Sequence, residues 1–183
     1  MIARLQGVIT DQEESFVVLD VHGVGFRVLV TPATSHQLQL GQTATLITHL
    51  HVREDALEIF GFLLNSERAL FDQLLRVSGV GPKLALALLG ALSVDALQQA
   101  IETGNAATLR GVSGVGSKTA ERIIVDLRGK LVTPAESSAA DEVADALTRL
   151  GYSAKEARDA ARQVPTNLSA EERLKAALRQ IGK

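Results

Sequence analysis

Two nine-residue segments of this 183-residue chain repeat one another. Val77-Ser78-Gly79-Val80-Gly81-Pro82-Lys83-Leu84-Ala85 recurs 35 residues later as Val112-Ser113-Gly114-Val115-Gly116-Ser117-Lys118-Thr119-Ala120, with seven of nine positions identical. The chemistry open to such a segment is anion binding by the backbone. Two glycines one residue apart turn the chain sharply and leave N–H groups with no Cβ in front of them. A helix that starts at once presents amides with no intrahelical acceptor, at the positive end of its dipole. A helix start of this kind takes a phosphate. Pro82 suits the first helical turn, where a missing N–H costs nothing. Lys83 and Lys118 sit in that same turn. A cation there gains nothing from the dipole, and a bound phosphate would account for it. One isolated Gly-Val-Gly reads as a turn that needs positive φ. Two copies, each with Lys at the same offset, read as paired grips on two phosphates, indifferent to base sequence.

Other chemistries find little support. The glycines follow helical rather than strand patterns, and neither G-x-G-x-x-G nor GxxxxGK[ST] occurs, so no dinucleotide or ATP site is expected. The chain has no Cys, which excludes disulfide scaffolds, thiolate metal sites and Cys nucleophiles. Aromatic residues make up 3%, with no Trp, too few for a sugar cleft and discouraging for base-stacking platforms. His49 and His51 share one face of an expected strand, but no further ligands stand near them, so a structural role is expected rather than a metal site. His22 and His36 read as loop or strand-edge residues, and Glu13-Glu14 as a solvated turn. No Ser/His/Asp arrangement can be argued from spacing. Neither a cofactor nor a metal is expected.

The elements that must position the repeats fall into three regions. Residues 1–63 read as strands: Ile2–Thr10, Val17–Val21 and Val24–Val30 around His22-Gly23, then Ala44–Val52 and Ala56–Phe62 around Arg53-Glu54-Asp55. Five strands in that length suit a small antiparallel barrel of the OB type. Residues 64–131 change to helical period, with Asn65 or Ser66 as the cap and Leu70, Phe71, Leu74 and Leu75 as the first apolar face. Each repeat lies between helices there, with Pro82–Leu89 after the first and Ser117–Leu131 after the second. The segment 132–140, VTPAESSAA, reads as a flexible linker. Residues 141–183 read as three short helices over Asp141–Leu150, Ser153–Gln163 and Ser169–Gln180, with Gly151 as a C-cap and Ser153 and Ser169 as N-caps.

Charge separates the regions. The formal net charge is −2, low for a non-specific DNA binder. Residues 1–62 hold 3 Lys/Arg and 7 Asp/Glu, residues 63–131 hold 8 and 6, and the remainder 8 and 8. Only the region with the repeats is positive. No uncharged apolar run approaches the roughly 18–20 residues of a membrane span. The opening MIARLQGVITDQEE lacks a secretory pattern, so a cytoplasmic protein is expected.

With these residues in place, the chain resembles the RuvA family of Holliday-junction-binding proteins. SGVGPKLA and SGVGSKTAERI are similar to its tandem helix-hairpin-helix motifs, HVREDALEIFGF to part of its barrel, and the likeness runs in order along essentially the whole chain. The resemblance implies a multidomain α and β protein. Its parts would be an OB-like antiparallel β-barrel, an all-α tandem helix-hairpin-helix domain and a C-terminal three-helix, UBA-like domain. It implies a homotetramer, or an octamer of two tetramers face to face, that holds four-way junction DNA open and square-planar. It implies that the small C-terminal domain meets the motor ATPase RuvB, and that the nuclease RuvC shares the complex. Carried over by position, Gly79, Val80, Gly81 and Lys83 grip phosphate in the first hairpin. Gly114, Val115, Gly116, Lys118 and Arg122 do so in the second, and Glu54 and Asp55 form an acidic pin at the junction centre. Leu150, Tyr152, Leu174 and Leu178, with Leu147, read most simply as the small domain's core. They are also the candidates for the partner surface. Many relatives carry Pro where Ser113 stands and Lys where Ser117 stands, and the linker here is short.

The reading that follows is a non-catalytic, junction-selective DNA-binding subunit. The alternative is a helix-hairpin-helix repair enzyme, a glycosylase or structure-specific nuclease. The first needs a catalytic Asp and a base pocket. The second needs clustered metal-binding carboxylates. After the second hairpin only Glu121 and Asp126 are near, both within the expected helix. A third reading, single-strand binding by the barrel, sits poorly with the barrel's acidity.

Overall fold

The computed structural model describes residues 2–131, 146–148, 152, 156–157, 160–161, 164 and 170–181. The chain divides into two compact units, Met1–Thr133 and Pro134–Lys183.

The first unit opens with five strands, β1 (Arg4–Gln12), β2 (Phe16–Val21), β3 (Val24–Leu29), β4 (Thr43–Val52) and β5 (Leu57–Phe62). They close into a barrel in the order β1-β2-β3-β5-β4. Alternation along the strands sends Leu5, Ile9, Val17, Leu19, Val28 and Leu46 into one core. Four seams are antiparallel. The fifth, between β3 and β5, is parallel, with Val28 opposite Ile59 and Leu29 opposite Phe60. The expected OB-like antiparallel barrel is thus closed by one parallel seam. A parallel pair requires a crossover, and the long excursion through β4 supplies it.

Within that excursion lies a short helix, α1 (Pro32–Gln37). Thr31 caps it by accepting a hydrogen bond from the Thr34 amide at 3.1 Å, and Pro32 stands in its first turn. His36 is therefore a helical residue and not a loop or strand-edge one. His22 does sit in a turn, at φ 55° beside Gly23.

Five helices complete the unit: α2 (Asn65–Leu74), α3 (Pro82–Ala91), α4 (Val94–Thr103), α5 (Ala106–Arg110) and α6 (Ser117–Leu127). The start of α2 differs from the sequence expectation. The N-cap position falls on Leu64, ahead of both Asn65 and Ser66. The Glu67 carboxylate reaches back to accept from the amides of Leu63 and Leu64, at 3.1 and 3.2 Å. An acid in the first turn satisfies orphan donors and complements the dipole together. Ser93 and Asn105 cap α4 and α5 by side-chain bonds to Ala96 and Thr108 amides.

The helical core and the barrel meet at Phe71 on α2. Its ring is fully buried against Phe60 and Phe62 of β5, with centroids 5.2 and 5.0 Å away, and against His49 of β4 at 5.2 Å. Phe71→Ala is expected to cost about 3–5 kcal/mol, the range for emptying a buried aromatic site. Urea unfolding of the full chain followed by circular dichroism measures it. Among the described residues no single helix is long and apolar enough to cross a membrane. The two most apolar, α3 and α4, are bent 103° apart and bury Ala85, Leu88, Leu97 and Ile101 in the core.

In the second unit, helix α7 (Ala170–Ile181) is described, with helical residues at 146–148, 156–157 and 160–161. Leu147, Ala157, Ala160, Ala161, Val164 and Ala177 form its core. Leu150, Gly151, Ser153, Ser169 and the linker 132–140 lie outside the described residues.

Candidate nucleic-acid interface

The two repeats fold alike. In the first, Val77 closes the end of the preceding turn and accepts from the Val80 amide at 3.0 Å. In the second, Val112 accepts from the Val115 amide at 3.1 Å. Helices α3 and α6 then begin with equivalent bonds, from Ala85 to the Gly81 carbonyl and from Ala120 to the Gly116 carbonyl, both 2.9 Å. Val77, Val80 and Ala85 are buried, and so are Val112, Val115 and Ala120. The shared residues thus seat each hairpin in the core by the same three side chains.

That arrangement sorts the expected contact residues. Val80 and Val115 have buried side chains, and their amides are engaged inside the turn. Among the described residues, no acceptor meets the amides of Gly79, Gly81, Lys83 and Leu84, nor those of Gly114, Gly116, Ser117, Lys118 and Thr119. The second hairpin has one more open amide, because Ser117 stands where Pro82 has none. Lys83 and Lys118 are exposed at the second residue of their helices.

The two glycines of each hairpin differ in conformation. Gly79 and Gly114 both adopt φ 87°, which side-chain-bearing residues rarely take. Gly81 and Gly116 lie at φ −90° and −82°, ordinary extended backbone. A Cβ built on either would meet nothing within 4 Å. Nothing inside the chain demands glycine at those two positions.

The hairpins brace each other. Arg122, expected to serve the second hairpin, reaches the first: its Nη1 donates to the Ser78 carbonyl at 3.0 Å and lies 3.5 Å from where a Gly79 Cβ would be. In return, Leu84 of α3 comes within 3.3 Å of a Cβ on Gly114. The repeats are therefore held as a pair rather than as independent loops.

The same region carries exposed cations. Arg76, Lys83, Arg110, Lys118, Arg128 and Lys130 are exposed and make no ion pair among the described residues. Three of the six acids in the same region are engaged: Glu67 at its cap, Asp72 with His49 and Arg68, and Glu102 on the Gly129 amide. The region is thus more cationic toward an incoming anion than its net charge states.

Glu54 and Asp55 stand exposed at the tip of the β4–β5 ribbon, beyond the last ladder pair Val52 and Leu57. The Arg53 amide closes the turn on the Ala56 carbonyl at 2.9 Å. Val52 and Leu57 are 61% and 73% exposed, so the ribbon projects past the barrel's packing. The exposed Arg53 side chain turns back to β4, its Nε donating to His51 Nε2 at 3.0 Å. His49, expected to be structural, bonds Asp72 and packs edge-on to Phe71. That pairing spans 23 residues and left no periodic signal in the sequence. In the second unit, Tyr152, Leu174 and Leu178 are half-buried against the Leu147 cluster.

Comparison with known proteins agrees with this architecture. Three family models match: RuvA N-terminal domain at residues 1–61, SAM-like helix-hairpin-helix tandem at 71–130, and RuvA C-terminal domain at 138–182. Among similar proteins, one from Albidiferax ferrireducens is 43% identical over 190 residues, covering all of both chains. One from Dehalococcoides mccartyi is 44% identical over 189 residues and 97% of each chain. One from Herpetosiphon aurantiacus is 43% identical over 195 residues, covering 100% of this chain and 99% of its own. All three are named Holliday junction branch migration complex subunit RuvA.

Proposed function

Because this chain belongs to the RuvA family, we propose that it is the non-catalytic, junction-binding subunit of a branch migration complex. The observation that carries the reading is the pair of open helix starts whose second glycines, Gly81 and Gly116, are required by nothing inside the chain. Phosphate oxygens accept from the free amides, Lys83 and Lys118 add charge, and no base edge is read. Sequence-independent grips of this kind suit a substrate defined by shape. The acidic tip supplies the shape filter by repelling phosphates that are not splayed apart.

Four copies around one axis would bring the tips together at the crossover, and the exposed Val52 and Leu57 accompany them there. RuvB is the partner that would supply ATP-driven movement, through the small C-terminal unit with Tyr152, Leu174 and Leu178 at its surface. RuvC would share the complex as the nuclease. A cytoplasmic location fits that role. The glycosylase or nuclease alternative has no observation in its favour.

A gel-shift competition tests the reading. A labelled four-way junction is challenged with excess linear duplex of the same sequence at about 0.1 M salt, where exposed charges are already partly screened. The junction complex is expected to survive. Equal competition by duplex would reduce the hairpins to general phosphate grips and remove the junction reading. In the same assay, Lys118→Ala is expected to weaken junction and duplex binding alike. It should also flatten the log–log salt dependence by about one unit for each phosphate that is no longer neutralised.

A further inference from the structure

The face of the β4–β5 ribbon that meets α2 carries a continuous chain of polar side chains. It begins on α2, where Arg68 Nε donates to Asp72 Oδ2 at 3.2 Å. The other carboxylate oxygen, Asp72 Oδ1, lies 2.8 Å from His49 Nδ1 on β4. The His49 ring stacks on His51 at 6.4 Å between centroids, with 24° between planes. His51 Nε2 accepts from Arg53 Nε at 3.0 Å. Arg53 is the residue immediately before Glu54 and Asp55. His49 and His51 alternate along β4, so they share one face, and Arg53 follows directly after the strand's end at Val52.

The two ends of this chain are the two functional elements. Helix α2 leads within a few residues into the first hairpin at Val77. The ribbon tip holds the acids. The lower half of the ribbon is fixed by apolar packing, through Phe60 and Phe62 on Phe71 and through Leu46, Leu50 and Ile59 in the barrel core. Above it Val52 and Leu57 are exposed and contribute little burial. A two-stranded ribbon without a packed face is marginal by itself. Its direction must come from interactions on its sides, and the chain of Asp72, His49, His51 and Arg53 provides them.

We propose that Asp72, His49 and His51 are positioning residues that aim the acidic tip relative to the first phosphate grip, and so set the preference for junction over duplex. This rests on the junction reading above. None of the three needs to touch DNA. Asp72 anchors the chain to α2 with a charge-assisted bond, Arg68 fixes the carboxylate's rotamer, and His51 holds Arg53 along the strand instead of among the carboxylates. With Arg53 held there, the tip keeps its negative charge. Released, the guanidinium can fold onto Glu54 or Asp55 and cancel part of it.

The test is a cycle of variants in the full chain, with junction and duplex dissociation constants measured on each. Asp72→Asn keeps shape and removes the charge. It is expected to lower the junction-to-duplex preference about fivefold, the size of one partly exposed charge-assisted interaction. With Glu54→Gln and Asp55→Asn already in place, the same substitution is expected to leave the preference unchanged, because there is no acidic tip left to aim. If Asp72→Asn lowers the preference equally in both backgrounds, or in neither, the positioning role is wrong. A thermal unfolding scan accompanies each variant. Where Asp72→Asn does not fold, His51→Leu breaks the chain at the exposed end and replaces it, with the same two expected outcomes. A parent protein with no preference for the junction would overturn the junction reading itself. A parent that prefers the junction while the variants keep that preference would overturn the positioning role alone.

Discussion

Replacing Gly81 and Gly116 together with Ala is expected to weaken junction binding about a hundredfold while leaving folding stability within about 1 kcal/mol of the parent. The stability half follows from the geometry. Both positions have backbone angles open to any residue, and both added methyls point into free space. Gly→Ala at a compatible position restricts the unfolded chain and stabilises by about 0.4–1 kcal/mol. Ala is a poorer N-cap than Gly, and both residues are N-caps, which offsets that gain. The binding half follows from the ligand. A phosphate close enough to accept from the Gly81, Lys83 and Leu84 amides occupies the space of the new methyl. Losing one good bond to a charged group removes about 1.5–3 kcal/mol, so one bond lost at each of the two hairpins amounts to about a hundredfold. The contrasting variant is Gly79→Ala, which places a side chain at φ 87° and is expected to destabilise the fold by about 1–2 kcal/mol. Gel-shift titration and thermal unfolding on the same preparations read both halves. Undiminished binding in the Gly81/Gly116 double variant would show that phosphate does not sit against these helix starts.

The distinction between the two glycines of each hairpin marks where sequence reading stopped. The repeat itself was visible because its duplication is exact at seven of nine positions, and the turn and helix start follow from Gly, Pro and Lys chemistry alone. The strands of the barrel were legible within two residues at each end, since period-two alternation is local information. What was hidden is tertiary. The sequence cannot say which glycine is strained and which is merely uncovered, because that depends on φ and on neighbouring atoms. The family resemblance placed Arg122 with the nearer hairpin, whereas in the fold its Nη1 also donates to Ser78 of the other, 44 residues away. The parallel β3–β5 seam and the Asp72–His49 bond are also long-range pairings with no periodic trace. Helix α1 escaped because PATSHQ has no apolar face to repeat. The cap of α2 was misplaced for a smaller reason: the helix begins one residue earlier, with Leu64 at the N-cap, and the side chain that reaches back to the amides there is Glu67.

Neutralising the acidic tip, Glu54→Gln with Asp55→Asn, is expected to raise affinity for linear duplex about tenfold or more while changing junction affinity far less. Exposed acids at a turn usually do no more than keep it solvated, so the expectation depends on where this turn points. The ribbon extends beyond the barrel's packed core with both carboxylates exposed at its end. The unit that carries it exposes Lys83 and Lys118 at the starts of the two hairpin helices. Duplex lying across those hairpins must bring continuous, doubly charged backbone toward the tip. A four-way junction opens at its crossover and lets the strands diverge around it. Like charges brought together across an interface cost several kcal/mol, so removing two per chain relieves the duplex complex more than the junction complex. The sign distinguishes this from a general electrostatic effect in one respect. Deleting acids from any DNA binder strengthens all binding, with the gain fading as salt is raised. Relief of a local clash changes the ratio of the two affinities, and part of that change persists at a salt concentration where long-range terms are screened. Dissociation constants for both DNAs at two salt concentrations therefore decide the matter. A parallel rise for junction and duplex would leave Glu54 and Asp55 as solvated turn residues, and shape selection would have to reside in the spacing of the hairpins alone.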